Sequence, residues 1–315
     1  MAEPFEEASH HLGGAPWDDG SSTGPFPCCP TRARAAAEEA CGGPVGLAEV
    51  THRRGAAVWK ATVHAGTSVA VKAGYGEVRT VTAREAEALR LLPGYRVVSG
   101  QDDDVGWFVT PWLSGPSTWE VFRPVREGGP DRGGVLEAAD GLCRAVAALH
   151  ALGWVHSDLQ PDHGILTDDG VRLIDLSWAL RPGSAPDGAF RGGIPHLVAP
   201  ELSARLALAQ HPVTPTAAAD VYALAGTLWA CVTGRWPLDY RAEGIDPTQL
   251  TCAELHAVIA GRRLPLDDCT RWPAMRDTLR PVLLGHADDR PAAAELAGMI
   301  RAVDPPPAAE GRAGV

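Results

Sequence analysis

The stretch Val155-His156-Ser157-Asp158-Leu159-Gln160-Pro161-Asp162-His163-Gly164-Ile165-Leu166, followed by Val171-Arg172-Leu173-Ile174-Asp175-Leu176-Ser177, decides the reading of this chain. Its apolar runs make a short hairpin, with Asp158 on the loop that enters it and Asp175 on the loop that leaves it. Two carboxylates so placed suit two tasks. One accepts a proton from a hydroxyl, and the other holds a metal-bound nucleotide.

The rest of the sequence sets bounds on that reading. The 315 residues suffice for one large domain or two lobes, and 45% hydrophobic residues describe a globular protein with ample core. A net charge of -11 argues against nucleic acid or an anionic membrane surface as partner, since both are bound through Lys and Arg. The acidic start Met1-Ala2-Glu3-Pro4-Phe5-Glu6-Glu7 is unlike a signal peptide, and no run is long and apolar enough to cross a bilayer; a cytoplasmic location with no membrane insertion is expected. Seven cysteines without CxxC pairs point to reduced thiols. Asparagine is absent, and Lys60 and Lys72 are the only lysines, so these two positions draw attention as places where arginine does not serve.

Residues 1–43 are rich in Gly, Pro, Ser and acidic residues around a helical run at 32–40, and they read as a flexible N-terminal extension. Strand-like runs follow at 45–51, 57–63, 68–71 leading into Lys72, 95–99 and 105–110, with a helix over 77–92. Beyond Gly115 the pattern is helical. Leu142, Val146 and Leu149 recur at helical spacing, 221–232 is apolar on every side, and further helices are predicted near 252–260, 275–284 and 292–303. The Pro-rich end from Asp304 reads as a disordered tail.

This order of elements resembles the protein kinase family of bacterial serine/threonine type, over about residues 45–303. The motifs are Val69-Ala70-Val71-Lys72, Arg84-Glu85-Ala86-Glu87, the two aspartate loops, Ala199-Pro200-Glu201, Asp220-Val221-Tyr222 and Asp289-Arg290-Pro291. The resemblance implies an α+β, two-lobed protein kinase-like fold. A domain at 44–303 would comprise a β-rich small lobe at 44–110, a hinge at 111–115 and a helical large lobe at 116–303. It further implies ATP as phosphate donor with Mg2+, or Mn2+, and a protein or peptide as acceptor.

Residue by residue, the resemblance assigns Lys72 to the nucleotide phosphates and Glu85 to Lys72. Glu85 is the better partner because Leu89, one turn on, then faces the core. Pro111 would offer a carbonyl and Leu113 an N–H to adenine, a pattern in which proline's missing N–H costs nothing. Asp158 aligns with the catalytic base and Asp175 with the metal-binding aspartate. His163 stands where an asparagine holds the second metal ion. His156, Glu201, Asp220 and Arg290 are architectural, with Glu201 pairing Arg290 and Asp220 holding the catalytic-loop backbone. The intact Ala-Pro-Glu favours this type over small-molecule kinases, which share the aspartate loop.

The sequence departs from the family at informative places. Thr51-His52-Arg53-Arg54-Gly55-Ala56 replaces the glycine-rich loop whose N–H groups close over phosphate. Gln160 replaces a lysine, Ser157 an arginine that reads activation-loop phosphorylation, Ile194 a threonine, and Leu176-Ser177 the usual Phe-Gly. Imidazole at 163 suits manganese better than magnesium. Two functions stay open on these residues: an ATP-dependent kinase acting on Ser or Thr hydroxyls, and a pseudokinase that binds or scaffolds. A small-molecule kinase is the third.

Overall fold

The computed structural model describes residues 27–303 apart from 65, 103, 130–131, 182–183, 185–189, 191 and 271. The described chain forms two compact units, one of residues 27–113 with 175–179, the other of 114–174 with 180–303. The start of the predicted extension, 1–26, and the predicted tail, 304–315, lie outside the described residues.

The first unit is built on a five-stranded antiparallel sheet. Its strands are β1 (Gly46–Arg53), β2 (Ala56–Thr62), β3 (Ser68–Tyr75), β4 (Val98–Asp102) and β5 (Val105–Pro111), in the order β1-β2-β3-β5-β4. Alternation decides its faces. Ala57, Trp59 and Ala61 of β2 and Val69, Val71 and Ala73 of β3 are buried on one face, with Trp107 and Val109 of β5. That face is covered by helix α1 (Thr31–Cys41), whose Ala33 and Ala37, one turn apart, have no exposed surface. Residues 31–41 therefore correct the expectation of a flexible extension: two alanines let a helix lie close over a sheet surface carrying two tryptophans.

Helix α2 (Val78–Leu91) packs on β3 and β5. The contact is close because Gly74 and Gly106 are partners across these strands. A Cβ at Gly74 would lie 2.1 Å from Thr82 Oγ1, and one at Gly106 would lie 2.6 Å from the Arg79 carbonyl oxygen. Strand β4 begins at Val98, three residues later than its predicted start, because pairing with β5 runs from Val98 opposite Val109 to Asp102 opposite Val105.

The second unit is helical apart from one hairpin. Short helices α3 (Thr118–Val121) and α4 (Arg123–Arg126) precede α5 (Gly133–Ala151), and the hairpin of β6 (Gly164–Thr167) and β7 (Gly170–Leu173) follows. Then come α6 (Pro200–Ala207), α7 (Ala217–Thr233), α8 (Cys252–Ala260), α9 (Pro273–Leu284) and α10 (Ala293–Arg301). Every residue of α7 from Ala219 to Val232 is buried, as its all-round apolar sequence requires. This is the α+β, two-lobed architecture of a protein kinase. Among the described residues, no helix is long and apolar enough to cross a membrane.

Candidate active site

In the first unit, Lys72 in the middle of β3 anchors a four-group cluster. The Lys72 ammonium lies 2.6 Å from Glu85 Oε2 and donates to Asp175 Oδ1 at 2.9 Å and to Ser177 Oγ at 3.2 Å. Its strand is rigid on both sides, since Lys72 pairs with Val58 of β2 and Phe108 of β5. Glu85 is buried while Glu87 is exposed, so the helical register turns the first of the two carboxylates inward. Burial works against the Lys72 charge, yet Glu85 and Asp175 together hold its pKa above the ordinary lysine range. Burial pushes the Glu85 carboxyl up while Lys72 pulls it back.

Ser177 is a member of this cluster that the sequence reading did not place. Its hydroxyl lies 2.9 Å from Glu85 Oε2 and 2.5 Å from Asp175 Oδ1. Arg84, one residue before Glu85, donates through Nε at 3.1 Å and through a terminal nitrogen at 2.8 Å to the Ser177 carbonyl. Its guanidinium also lies over the Trp178 ring, 5.0 Å from the centroid. The only sequence signal was a serine in place of glycine.

Between β1 and β2, where the sequence lacks the glycine-rich loop, the chain makes a tight turn. Arg53 pairs directly with Ala56, leaving the two residues Arg54 and Gly55, both with positive φ (51° and 76°). The turn is tied down, since Tyr75 N–H donates to the Gly55 carbonyl at 2.9 Å. At the other end of the sheet, Pro111 closes β5 opposite Val69, Trp112 N–H donates to Ser68 O at 3.0 Å, and Leu113 follows as the chain leaves the sheet.

In the second unit, Asp158 sits on a loop held from below by α7 and α5. The buried Asp220 carboxylate accepts the N–H groups of His156 at 2.6 Å and Ser157 at 2.8 Å, and it lies 3.0 Å from His150 Nε2. Thr227, seven residues along α7 and so on the same face, donates to Leu159 O at 3.3 Å. These bonds hold Ser157 at φ 70°, an uncommon conformation for a residue other than glycine. His156 is fully buried; its Nε2 donates to Ile174 O at 3.1 Å, and burial keeps its pKa below the ordinary value. It is a neutral structural bridge from the loop to the end of the hairpin.

Asp158 Oδ1 accepts from Gln160 Nε2 at 2.8 Å, so a neutral amide stands in place of a cation. Gly193 is pressed against the same carboxylate, and a Cβ there would lie 1.7 Å from Oδ1. His163 Nδ1 donates to the Asp158 carbonyl at 2.7 Å, which in the neutral ring puts the lone pair on Nε2. Farther off, Arg290 forms a bidentate pair with Glu201 at 2.6 and 2.8 Å and donates to Ala218 O. Burial opposes the Glu201 charge, but the Arg290 hydrogen bonds prevail and hold its pKa below the usual range.

The donor chemistry fits a metal that arrives with a nucleotide. Asp175 keeps 37% of its side chain exposed and offers the carboxylate oxygen that hard cations prefer. Among the described residues, no three His, Cys, Asp or Glu side chains form a metal cage. Magnesium taken up with phosphates needs no such cage, only one or two protein ligands.

Fold and site geometry thus define a protein of the protein kinase class. The comparisons with known proteins are more specific. The chain is 31% identical over 236 residues to Probable serine/threonine-protein kinase PkwA of Thermomonospora curvata, covering 71% of this chain and 28% of that protein. It is 30% identical over 222 residues to serine/threonine-protein kinase AfsK of Streptomyces griseus (65% and 26%), and 29% over 179 residues to serine/threonine-protein kinase PknG of Mycobacterium leprae (55% and 21%). No protein-family model matches. The chain belongs to the bacterial serine/threonine protein kinase family as a divergent member, and it spans about a quarter of the length of these relatives.

Proposed function

We propose that the protein is an ATP-dependent protein kinase that transfers the γ-phosphate to a Ser or Thr hydroxyl of a protein or peptide. The observation that carries this reading is the pair of a largely buried Lys72 with the buried Glu85, with Asp175 at 2.9 Å from the same ammonium. A buried ion-pair network on a strand and a helix is costly to keep unless it serves chemistry. Lys72, oriented by Glu85, would bind phosphate oxygens. Asp175 would hold Mg2+ or Mn2+, with His163 as a nitrogen ligand, and the metal would neutralise charge on the phosphates. Pro111 and Leu113 would address adenine through backbone groups. Asp158 would take the proton of the acceptor hydroxyl as its oxygen attacks the γ-phosphorus and the bond to the bridging oxygen of ADP breaks.

A second reading has its own observation. The two-residue Arg54-Gly55 turn leaves no run of glycine N–H groups for the phosphates, which favours a pseudokinase that binds or scaffolds without transfer. Thermal shift with ATP and magnesium, and separately manganese, tests the first reading on wild type and Lys72→Met. Metal-dependent stabilisation lost in Lys72→Met is expected. No shift with either metal in the wild type would sink the kinase reading.

A further inference from the structure

We infer that Ser177 and Arg84 form a clasp that fixes the Asp175–Ala179 segment against α2, so that the Lys72–Glu85–Asp175 arrangement is built into the unphosphorylated chain. Its bearing on catalysis rests on the function proposed above; the clasp itself does not. Ser177 enters through two separate groups. The hydroxyl accepts from Lys72 at 3.2 Å and has one proton to give to Glu85 at 2.9 Å or Asp175 at 2.5 Å. Two carboxylates that share one ammonium repel each other, and a hydroxyl between them relieves that repulsion. The carbonyl takes both arms of the Arg84 fork.

A glycine at this position could offer only the second of these contacts. Asp175 has φ 57°, a left-handed conformation that persists in a non-glycine residue only when neighbours determine it. Lys72 and Ser177 supply those neighbours. The control exerted elsewhere by a phosphorylated loop and an arginine has lost its reader here, because Ser157 stands at that position. The clasp supplies a standing substitute for it, with Ser177 a positioning residue that acts through Lys72 and Asp175.

Hydrogen–deuterium exchange on the full chain tests this without nucleotide. Ser177→Ala and Arg84→Ala each should speed exchange of residues 175–179 and α2 about tenfold, the worth of one hydrogen bond to a charged group. Exchange in α7 should stay at the wild-type rate. Ser177→Thr, which keeps the hydroxyl, should stay protected. Wild-type exchange in Ser177→Ala would overturn the proposal, as would Ser177→Thr exchanging as fast as Ser177→Ala, which would assign the effect to packing. Metal-ATP titration separates the two ideas. Faster local exchange in a protein that binds no metal-ATP would leave the clasp standing and remove the function. Metal-ATP binding with unchanged exchange in Ser177→Ala would do the reverse.

Discussion

Asp220→Ala should be among the most damaging single substitutions outside the reacting groups. The carboxylate is buried and accepts the N–H groups of His156 and Ser157 at 2.6 and 2.8 Å. A hydrogen bond to a buried charged group contributes about 1.5–3 kcal/mol, so losing two costs about 4 kcal/mol before the His150 contact is counted. For a unit of this size, 1 kcal/mol moves the melting temperature by about 2–4 °C, so a fall of about 10 °C is expected. Asp220→Asn keeps one acceptor oxygen and should lose about half as much. The same change frees Ser157 from φ 70° and moves Asp158 with it. Misplacing a reacting group by about 1 Å can cost about 100-fold in rate, so phosphate transfer should fall by more than stability alone explains. Differential scanning calorimetry with a transfer assay on the same samples reads both. A melting temperature within about 2 °C of wild type would refute the claim that this carboxylate carries the loop.

Three further outcomes follow from the geometry. Gly193→Ala should leave ATP binding intact and reduce transfer about 100-fold, since its Cβ would displace the Asp158 carboxylate; unchanged turnover would mean the loop gives way at no cost. Glu201 has a folded pKa below its unfolded value, so it contributes stability at neutral pH that is lost as pH falls through the depressed folded pKa. The gap in unfolding free energy between wild type and Glu201→Gln should therefore be full at pH 7 and close in acid, and a pH-independent gap would contradict the pairing. Removing residues 1–43 should uncover Trp59 and Trp107, seen as a red shift of tryptophan emission and a lower melting temperature; an unchanged spectrum would mean α1 does not cover them.

The architecture was legible where periodicity is strong. Alternation in β2 and β3 and the all-round apolar run of α7 each admit one reading, and the motif order fixed their sequence. The site was legible through the order and spacing of its motifs, and most plainly where a residue type is unusual for its surroundings. Lys72, one of two lysines, and Asp220, the one acid at the head of an apolar helix, stand out in this way. Gln160 and Ser177 showed only as departures from a motif and Thr227 not at all, because a polar residue in a loop or a lone threonine in a helix looks the same whether it is solvated or aimed at a carboxylate or a backbone carbonyl. Helix α1 was read as a helical run but not as part of the core, for a related reason. Its buried face consists of alanines, too small to mark an amphipathic stripe among acidic and glycine-rich neighbours, and the tryptophans that need covering lie elsewhere in the chain.

The central claim is that the four charges Lys72, Glu85, Asp158 and Asp175 still perform phosphoryl transfer. The direct measurement is transfer of label from γ-labelled ATP, with magnesium or manganese, to the chain itself and to a mixed Ser/Thr peptide library. Wild type and Asp158→Ala are compared at matched ATP occupancy. The account predicts metal-dependent labelling of Ser or Thr by the wild type, abolished in Asp158→Ala although ATP still binds. ATP binding by both proteins with no labelling by either would contradict it and leave a nucleotide-binding pseudokinase.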